Sequence, residues 1–275
     1  MSTPTRGFVY AASDEEWVRE AIATAAELRQ VHPDIPRVLF TDRRDLVASS
    51  SPFDDIIVPP SRSWVRSEIK LWALAHSPFD RSVYLDGDTH VRGDVSDLFA
   101  VLDRFDVAGV PVPTRSFRRP RHANPLDVPD AFQNINGGVL AFRRTDATKE
   151  FFDLWWELYH ADLETAGKGI MDQPSLRVAL WRSRCTVLLL PPEFNMRTRH
   201  HHSRPTIAVG EVRIIHGHPK DVDDLDHRWN RTDTPRLLTP PLQYGLRQVW
   251  RRVPSLVPDR VWRATVAVRK RFTGG

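Results

Sequence analysis

Apolar and polar positions change period repeatedly along this chain, and the changes predict alternating strands and helices. Residues 7–12 form a continuous apolar run, the pattern of a strand buried on both faces. Ser13 with Glu16 three residues on has the capping-box spacing, and Val18, Ile22, Ala25 and Leu28 then recur at helical intervals up to residue 31. Pro33 and Pro36 end that helix. Residues 37–41 and 55–58 read as short strands. Residues 65–77 return to helical spacing, with Val65, Ile69, Trp72 and Ala73 on one face. Residues 82–85 form an apolar strand that runs into Asp86-Gly87-Asp88. A helix is predicted over 95–102, and strands over 107–112 and 135–142, the last with Gly137 and Gly138 near its start. A long helix follows whose Phe151, Phe152, Trp155, Trp156 and Tyr159 read as core. Met171-Asp172-Gln173-Pro174 opens another, with Leu176, Ala179 and Leu180 inward, and helix capping accounts for part of Asp172's presence there. Apolar strands at 187–190 and 212–216 complete the pattern.

Strands alternating with helices predict an α/β fold, a sheet flanked by helices on both faces. Ligands in such sheets lie beyond the carboxyl ends of the strands. The turns at Ser13 and at Asp86 both occupy such ends.

Charge divides the chain in two. Residues 236–275 hold nine Lys/Arg and one acid, Asp259, while the rest holds 30 basic and 34 acidic residues. That balance is poor evidence for a nucleic-acid enzyme. After Pro240-Pro241, the apolar stripes Leu242, Leu246, Val249, Val253 and Val261, Ala264, Val268, Phe272 lie opposite arginines and a lysine. The expected organisation is a body over 1–235 and a basic amphipathic helical tail over 236–275, suited either to peripheral contact with a membrane surface or to packing on the body. The only cysteine, Cys185, reads as a buried thiol of a reducing compartment. No apolar run spans a bilayer and residues 1–6 lead straight into a strand without a secretory h-region, so a cytoplasmic location is expected, with the tail available to the inner membrane face. Residues 113–133, rich in Pro and Arg, read as a long functional loop, and His200-His201-His202 as a solvated one.

Asp-x-Asp after a strand places two hard oxygen ligands on one turn, the donor type that Mg²⁺ and Mn²⁺ prefer, and Gly87 between them leaves room for close approach. Around it, Lys70-Leu71-Trp72-Ala73-Leu74, Tyr84-Leu85-Asp86-Gly87-Asp88-Thr89, Asp97-Leu98-Phe99, Asn136-Gly137-Gly138-Val139, Asp172-Gln173, Phe194-Asn195 and His216 follow one another in a specific order. In that order, from Phe8 to about Lys220, the chain resembles the GT-A nucleotide-sugar glycosyltransferases of family 8, the glycogenin and lipopolysaccharide-galactosyltransferase group. The resemblance implies a GT-A mixed sheet and transfer of a sugar from a nucleotide-diphosphate donor, UDP by preference, with retained anomeric configuration; inversion with a carboxylate base is the alternative. It implies Asp86, Asp88 and His216 as ligands of Mn²⁺ or Mg²⁺, with His218 the rival imidazole. Lys70 and Lys220 would add charge near phosphates or sugar; Gly87 and Gly137 would lie against the donor. Asn136, Asp172 and Gln173 would hold sugar hydroxyls, with Asp172 facing the anomeric carbon. Ala11, Ser13 and Asp14 would line the nucleoside pocket, and Trp17 would cover the base. The acceptor would be a glycan, lipid or small molecule. The pattern behind the histidine, His216-Gly217-His218-Pro219-Lys220, is compressed relative to the family's.

Two other readings compete. Leu85-Asp86-Gly87-Asp88 is also similar to the nucleophile loop of haloacid-dehalogenase-type phosphatases, but His90 stands where they carry Thr or Val, and two βα units precede the motif instead of none. A non-catalytic nucleotide-sugar-binding protein on the same fold is the other.

Overall fold

The computed structural model describes residues 5–60, 64, 65, 67–112, 128–166, 171–198, 206–231 and 235–238. Its centre is a seven-stranded sheet, built from β1 (Arg6–Ala11), β2 (Arg37–Phe40), β3 (Asp55–Ile57), β4 (Arg81–Leu85), β6 (Val107–Pro111), β7 (Ile135–Arg143) and β8 (Val187–Leu189), in the order β3-β2-β1-β4-β7-β6-β8. β3, β2, β1 and β4 run parallel, β6 and β8 pair parallel, and β7 alone is antiparallel to both its neighbours. The sheet is therefore mixed, flanked by helices as expected.

Period-2 alternation explains its two buried faces. Phe8, Tyr10, Val83, Leu85, Val139 and Ala141 point into one core, with α1 (Glu15–Val31) and α3 (Asp97–Ala100). Val9, Tyr84, Leu140 and Phe142 point into the other, under α2 (Glu68–Ala75), α4 (Asp146–Ala166) and α5 (Gln173–Arg182). Phe151, Trp155 and Tyr159 are fully buried there, so the aromatic helix is core, as its spacing predicts. A small second sheet, β5 (Thr89–Val91), β11 (Ile214–His216) and β9 (Met196–Arg197), covers the site end of β4.

Four local expectations change. α1 has Asp14 rather than Ser13 at its cap position and no side chain caps it, so the capping box does not form. The helix expected over 65–77 shortens to Glu68–Ala75, and the one over 95–102 divides into α3 and a 3₁₀ turn, Val101–Asp103. Arg236–Leu238, counted with the tail in the sequence, is a strand (β12) pairing antiparallel with β10 (Thr206–Ala208), and Leu238 is buried. The amphipathic stripes of the tail, most of the 113–133 loop and His200–His202 lie outside the described residues. Cys185 is half-buried and donates to the Ala147 carbonyl at 3.2 Å; burial pushes its thiol up to about 11, consistent with an inert role. No helix among the described residues is long and apolar enough to cross a membrane.

Candidate active site

The antiparallel strand builds the site. Because β7 runs against β4, its start lies beside β4's end: Leu85 pairs with Val139, and the Asp86 N–H donates to the Gly138 carbonyl at 2.8 Å. Asn136, Gly137 and Gly138 thus meet Asp86 although they are fifty residues away in sequence. Thr89 closes the turn, its hydroxyl donating to the Asp86 carbonyl at 2.7 Å, and the Gly217 N–H donates to the Asp88 carbonyl at 2.8 Å. β11, antiparallel to β5 with His216 opposite Thr89, delivers the imidazole over the turn.

Asp86, Asp88 and His216 each offer one ligand atom, all within 4.8 Å of one another. His216 Nε2 lies 3.2 Å from Asp88 Oδ1 and 3.9 Å from Asp86 Oδ2. Burial alone would raise the Asp88 carboxyl, but the hydrogen bond and charge of His216, with the charge of His218, hold it well below the usual carboxylate range. Two carboxylates and an imidazole fit a divalent cation of the Mg²⁺/Mn²⁺ kind. His218 is drawn elsewhere: its Nε2 pairs with Glu20 of α1, and its Nδ1 is 3.6 Å from Asp88 Oδ2. It buttresses the turn from the side, whereas His216 completes the cluster.

A cationic shelf stands beside the triad. Lys70, buried on α2, reaches Asp86 Oδ1 at 3.1 Å and Asp172 Oδ2 at 3.3 Å, with its ammonium 4.9 Å from the Tyr84 ring centroid. Burial would lower its pKa, but Asp172 and Asp86 together hold it above the usual lysine value. Tyr84 donates to Asp86 Oδ1 at 2.9 Å. Asp172 sits at the cap position of α5, yet its side chain does not cap. Its backbone carbonyl is held instead by the Trp155 indole, the Ser175 hydroxyl and the Leu176 N–H, while Oδ2 is buried without a hydrogen bond, touching only the Lys70 charge.

The remaining expected residues divide. Gln173 is buried with its amide turned to β7, donating to the Ile135 carbonyl and to Asn134 and accepting from Asn136, so it orients Asn136 from behind. Ala11, the last residue of β1, and Ser13 just after it are half-buried, Asp14 is exposed, and Trp17 is 46% exposed on the first turn of α1. A Cβ at Gly87 would stand 3.4 Å from the Trp17 carbonyl oxygen and the Ala21 nitrogen, so the turn packs against α1 on that side. Gly137 does face the shelf, 3.3 Å from Lys70 Nζ and 3.7 Å from Asp172 Oδ2 by the same measure. Lys220 is exposed and, among the described residues, makes no ion pair with the cluster.

Sequence reasoning gave no role to Tyr84, Glu20, Asn195 or Arg197. Tyr84 is hidden in a strand, and Glu20 in a helix. Arg197, beside His216 in the β9–β11 register, is half-buried, and among the described residues its guanidinium makes no hydrogen bond or ion pair. Burial draws its pKa down, and the charges of Asp86 and Asp88 oppose that shift.

Gly138 is where the site is tightest. A Cβ there would stand 2.3 Å from His216 Cε1 and 2.6 Å from Asp86 Oδ2. Gly138→Ala should cost about 1–3 kcal/mol of stability by overpacking and also disperse the triad. Thermal unfolding and Mn²⁺ titration of the variant check this; unchanged Mn²⁺ affinity would mean that the triad does not hold the ion.

No protein-family model matches the chain, and no curated protein matches it. Solved structures do. The galactosyltransferase LgtC in complex with donor and acceptor sugar analogues is 17% identical at a TM-score of 0.52, over 82% of this chain and 94% of LgtC. An active-site mutant of LgtC is 16% identical at a TM-score of 0.50, over 76% and 86% of the two chains. The glycosyltransferase GlyE of Streptococcus pneumoniae is 17% identical at a TM-score of 0.51, over 85% of this chain and 58% of GlyE. At such identities the shared property is the fold, and the chain has the GT-A fold of these glycosyltransferases, the architecture that the order of its motifs implies.

Proposed function

We propose that this protein is a metal-dependent glycosyltransferase that moves a sugar from a nucleotide-diphosphate donor, UDP-linked by preference, to an acceptor hydroxyl with retention of configuration. The observation that carries the reading is the Asp86, Asp88 and His216 cluster at the carboxyl end of β4, on a GT-A sheet, with Lys70 and Asp172 adjoining it. That end of an α/β sheet is where ligands bind. LgtC, which shares the fold, was solved with donor and acceptor sugar analogues.

Asp86, Asp88 and His216 would hold Mn²⁺ or Mg²⁺, which when bound supplies Lewis-acid stabilisation of charge on the departing diphosphate. The chain's own residues do the rest. Lys70 and Arg197, fixed cations at the edge of the cluster, attract and orient the diphosphate before any bond changes. Gly137 keeps the floor beside Lys70 and Asp172 low enough for a sugar ring. Asp172, anchored by its carbonyl, presents a carboxylate to the anomeric carbon, where positive charge develops as the sugar–phosphate bond breaks. The acceptor oxygen then bonds to that carbon, and its proton passes to the leaving diphosphate. The Trp17 carbonyl lies against Gly87 of the Asp86–Asp88 turn, and Ala11, Ser13 and Asp14, in the passage from β1 to α1, would line the nucleoside pocket with it.

The phosphatase reading fits the arrangement less well. His90, where those enzymes carry Thr or Val, is turned away to Glu27 of α1, and the motif ends the fourth strand of the sheet instead of the first.

A panel of nucleotide sugars incubated with purified protein and Mn²⁺, with and without EDTA, tests the proposal by release of nucleotide diphosphate. Metal-dependent release from one donor is expected. Turnover of phosphate monoesters instead would select the phosphatase, and tight Mn²⁺–UDP binding without release, across all donors and acceptors, the binding protein.

A further inference from the structure

Asn195 lies in the turn before β9, 3% exposed, and has no part in the roles above. We infer that Asn195 is a positioning residue that fixes the tautomer of His216, so that a bare Nε2 faces Asp86 and Asp88, and that it ties the metal triad through Asn136 to Gln173. The inference rests on the metal-binding reading of that triad.

The orientation of each amide follows from groups whose roles are not in question. The Gly138 N–H can only donate, so the Asn136 atom 3.1 Å from it is the acceptor Oδ1. That same oxygen lies 2.9 Å from Asn195, which must therefore present its Nδ2 there. The other end of the Asn195 amide, Oδ1, is left 2.8 Å from His216 Nδ1. An amide oxygen cannot donate, so Nδ1 carries the hydrogen. At the far end, the Ile135 carbonyl can only accept, so Gln173 presents Nε2 to it and Oε1 to Asn136 Nδ2, at 3.2 Å. The chain is thus anchored on the backbone of β7 at two points, the Gly138 N–H and the Ile135 carbonyl. Flipping any one amide sets oxygen against oxygen or nitrogen against nitrogen inside a region where every member is buried.

The consequence appears at the other imidazole nitrogen. A neutral ring has one N–H, so Nε2 carries a lone pair, 3.2 Å from Asp88 Oδ1 and 3.9 Å from Asp86 Oδ2. A lone pair against two carboxylates is repulsive until a positive species occupies the space between them: a proton on Nε2, which gives the charged ring that hydrogen-bonds Asp88, or a divalent cation in the proton's place. The amide chain therefore holds the neutral His216 ring in the form that a cation requires and excludes the neutral tautomer whose single hydrogen would lie on Nε2 against Asp88. Partners that orient a ligating histidine in this way are commonly worth 10–100-fold in metal affinity.

The test uses the full chain, with Mn²⁺ binding followed by electron paramagnetic resonance and the His216 tautomer by long-range ¹H–¹⁵N NMR of the metal-free protein at a pH where the ring is neutral. The wild type should show the Nδ1–H tautomer. Asn195→Ala should lose this preference and bind Mn²⁺ roughly 10–100-fold more weakly. Asn195→Asp, which keeps an oxygen against Nδ1 but loses the donor to Asn136, should recover most of the affinity; a purely structural role would predict no such rescue. An Nε2–H tautomer in the wild type overturns the inference even if the alanine variant does not fold. So does wild-type Mn²⁺ affinity in a folded Asn195→Ala, and either result leaves the metal-binding reading intact. Absence of Mn²⁺ binding by the wild type removes both.

Discussion

Asp88→Asn should abolish measurable Mn²⁺ binding and slow sugar transfer by about three orders of magnitude, roughly 4 kcal/mol of transition-state stabilisation, the scale of a Lewis-acid contribution. The substitution is nearly isosteric and leaves the backbone contacts of the turn in place: the Gly217 N–H still donates to the residue-88 carbonyl and Thr89 still closes the turn. What goes is one of two hard anionic ligands and the counter-charge to His216 and His218. The same side chain makes a pH prediction. Its folded-state carboxyl is held below the usual range, by His216 and His218 against burial, so its charged form is favoured in the fold. A group depressed in this way contributes stability above its unfolded value, about pH 3.9, and that contribution is lost as pH falls below it toward the folded value. Melting temperature measured from pH 6 down to pH 3 should fall more steeply in wild type than in Asp88→Asn. Mn²⁺ binding by the variant at wild-type strength would place the ion elsewhere.

Asp172→Asn should slow transfer by roughly 10²–10³-fold, the usual effect of removing one electrostatic stabiliser of the transition state, while Mn²⁺ and UDP still bind to within about a factor of two. The two effects separate because the residue's architecture is in its main chain. Trp155, Ser175 and Leu176 hold its carbonyl, and none of these contacts involves the carboxylate. Lys70 keeps Asp86 as a partner at 3.1 Å when the Asp172 charge is gone, so the metal turn retains its neighbour. Stopped-flow transfer rates and calorimetric UDP–Mn²⁺ titrations distinguish the outcomes. An unchanged rate takes Asp172 out of the chemistry, and loss of UDP–Mn²⁺ binding along with rate makes it a binding residue.

Much of this was legible in the amino-acid order. The strands at β1, β4 and β7 and the long helices α1 and α4 follow from runs and periods that local sterics and burial impose, and α4's aromatics fall in the core as their spacing requires. The Asp86-Gly87-Asp88 turn could be read as a cation turn because two carboxylates two residues apart after a strand are a local pattern. The capping box at Ser13 could not be judged in this way. Its residues are correct, but whether a hydroxyl reaches an N–H depends on how β1 delivers the chain into α1, and here Asp14 takes the cap position. Gly87 meets a related limit: a glycine announces that something comes close, and that α1 is one of its neighbours is set by the fold.

Sequence by itself determined the alternation of elements, the two faces of the sheet and the Asp86–Asp88 carboxylate pair, because these depend on side-chain chemistry and on repeats a few residues long. Tertiary structure decided what those residues meet. Only the antiparallel direction of β7 brings Gly138 against Asp86 and His216, and only the pairing of β11 with β5 selects His216 for the cluster and gives His218 to Glu20. Contacts between residues tens of positions apart are set by strand order and direction, which no local pattern encodes. For that reason Tyr84, Arg197 and Asn195 became parts of the site only when the sheet was assembled around them.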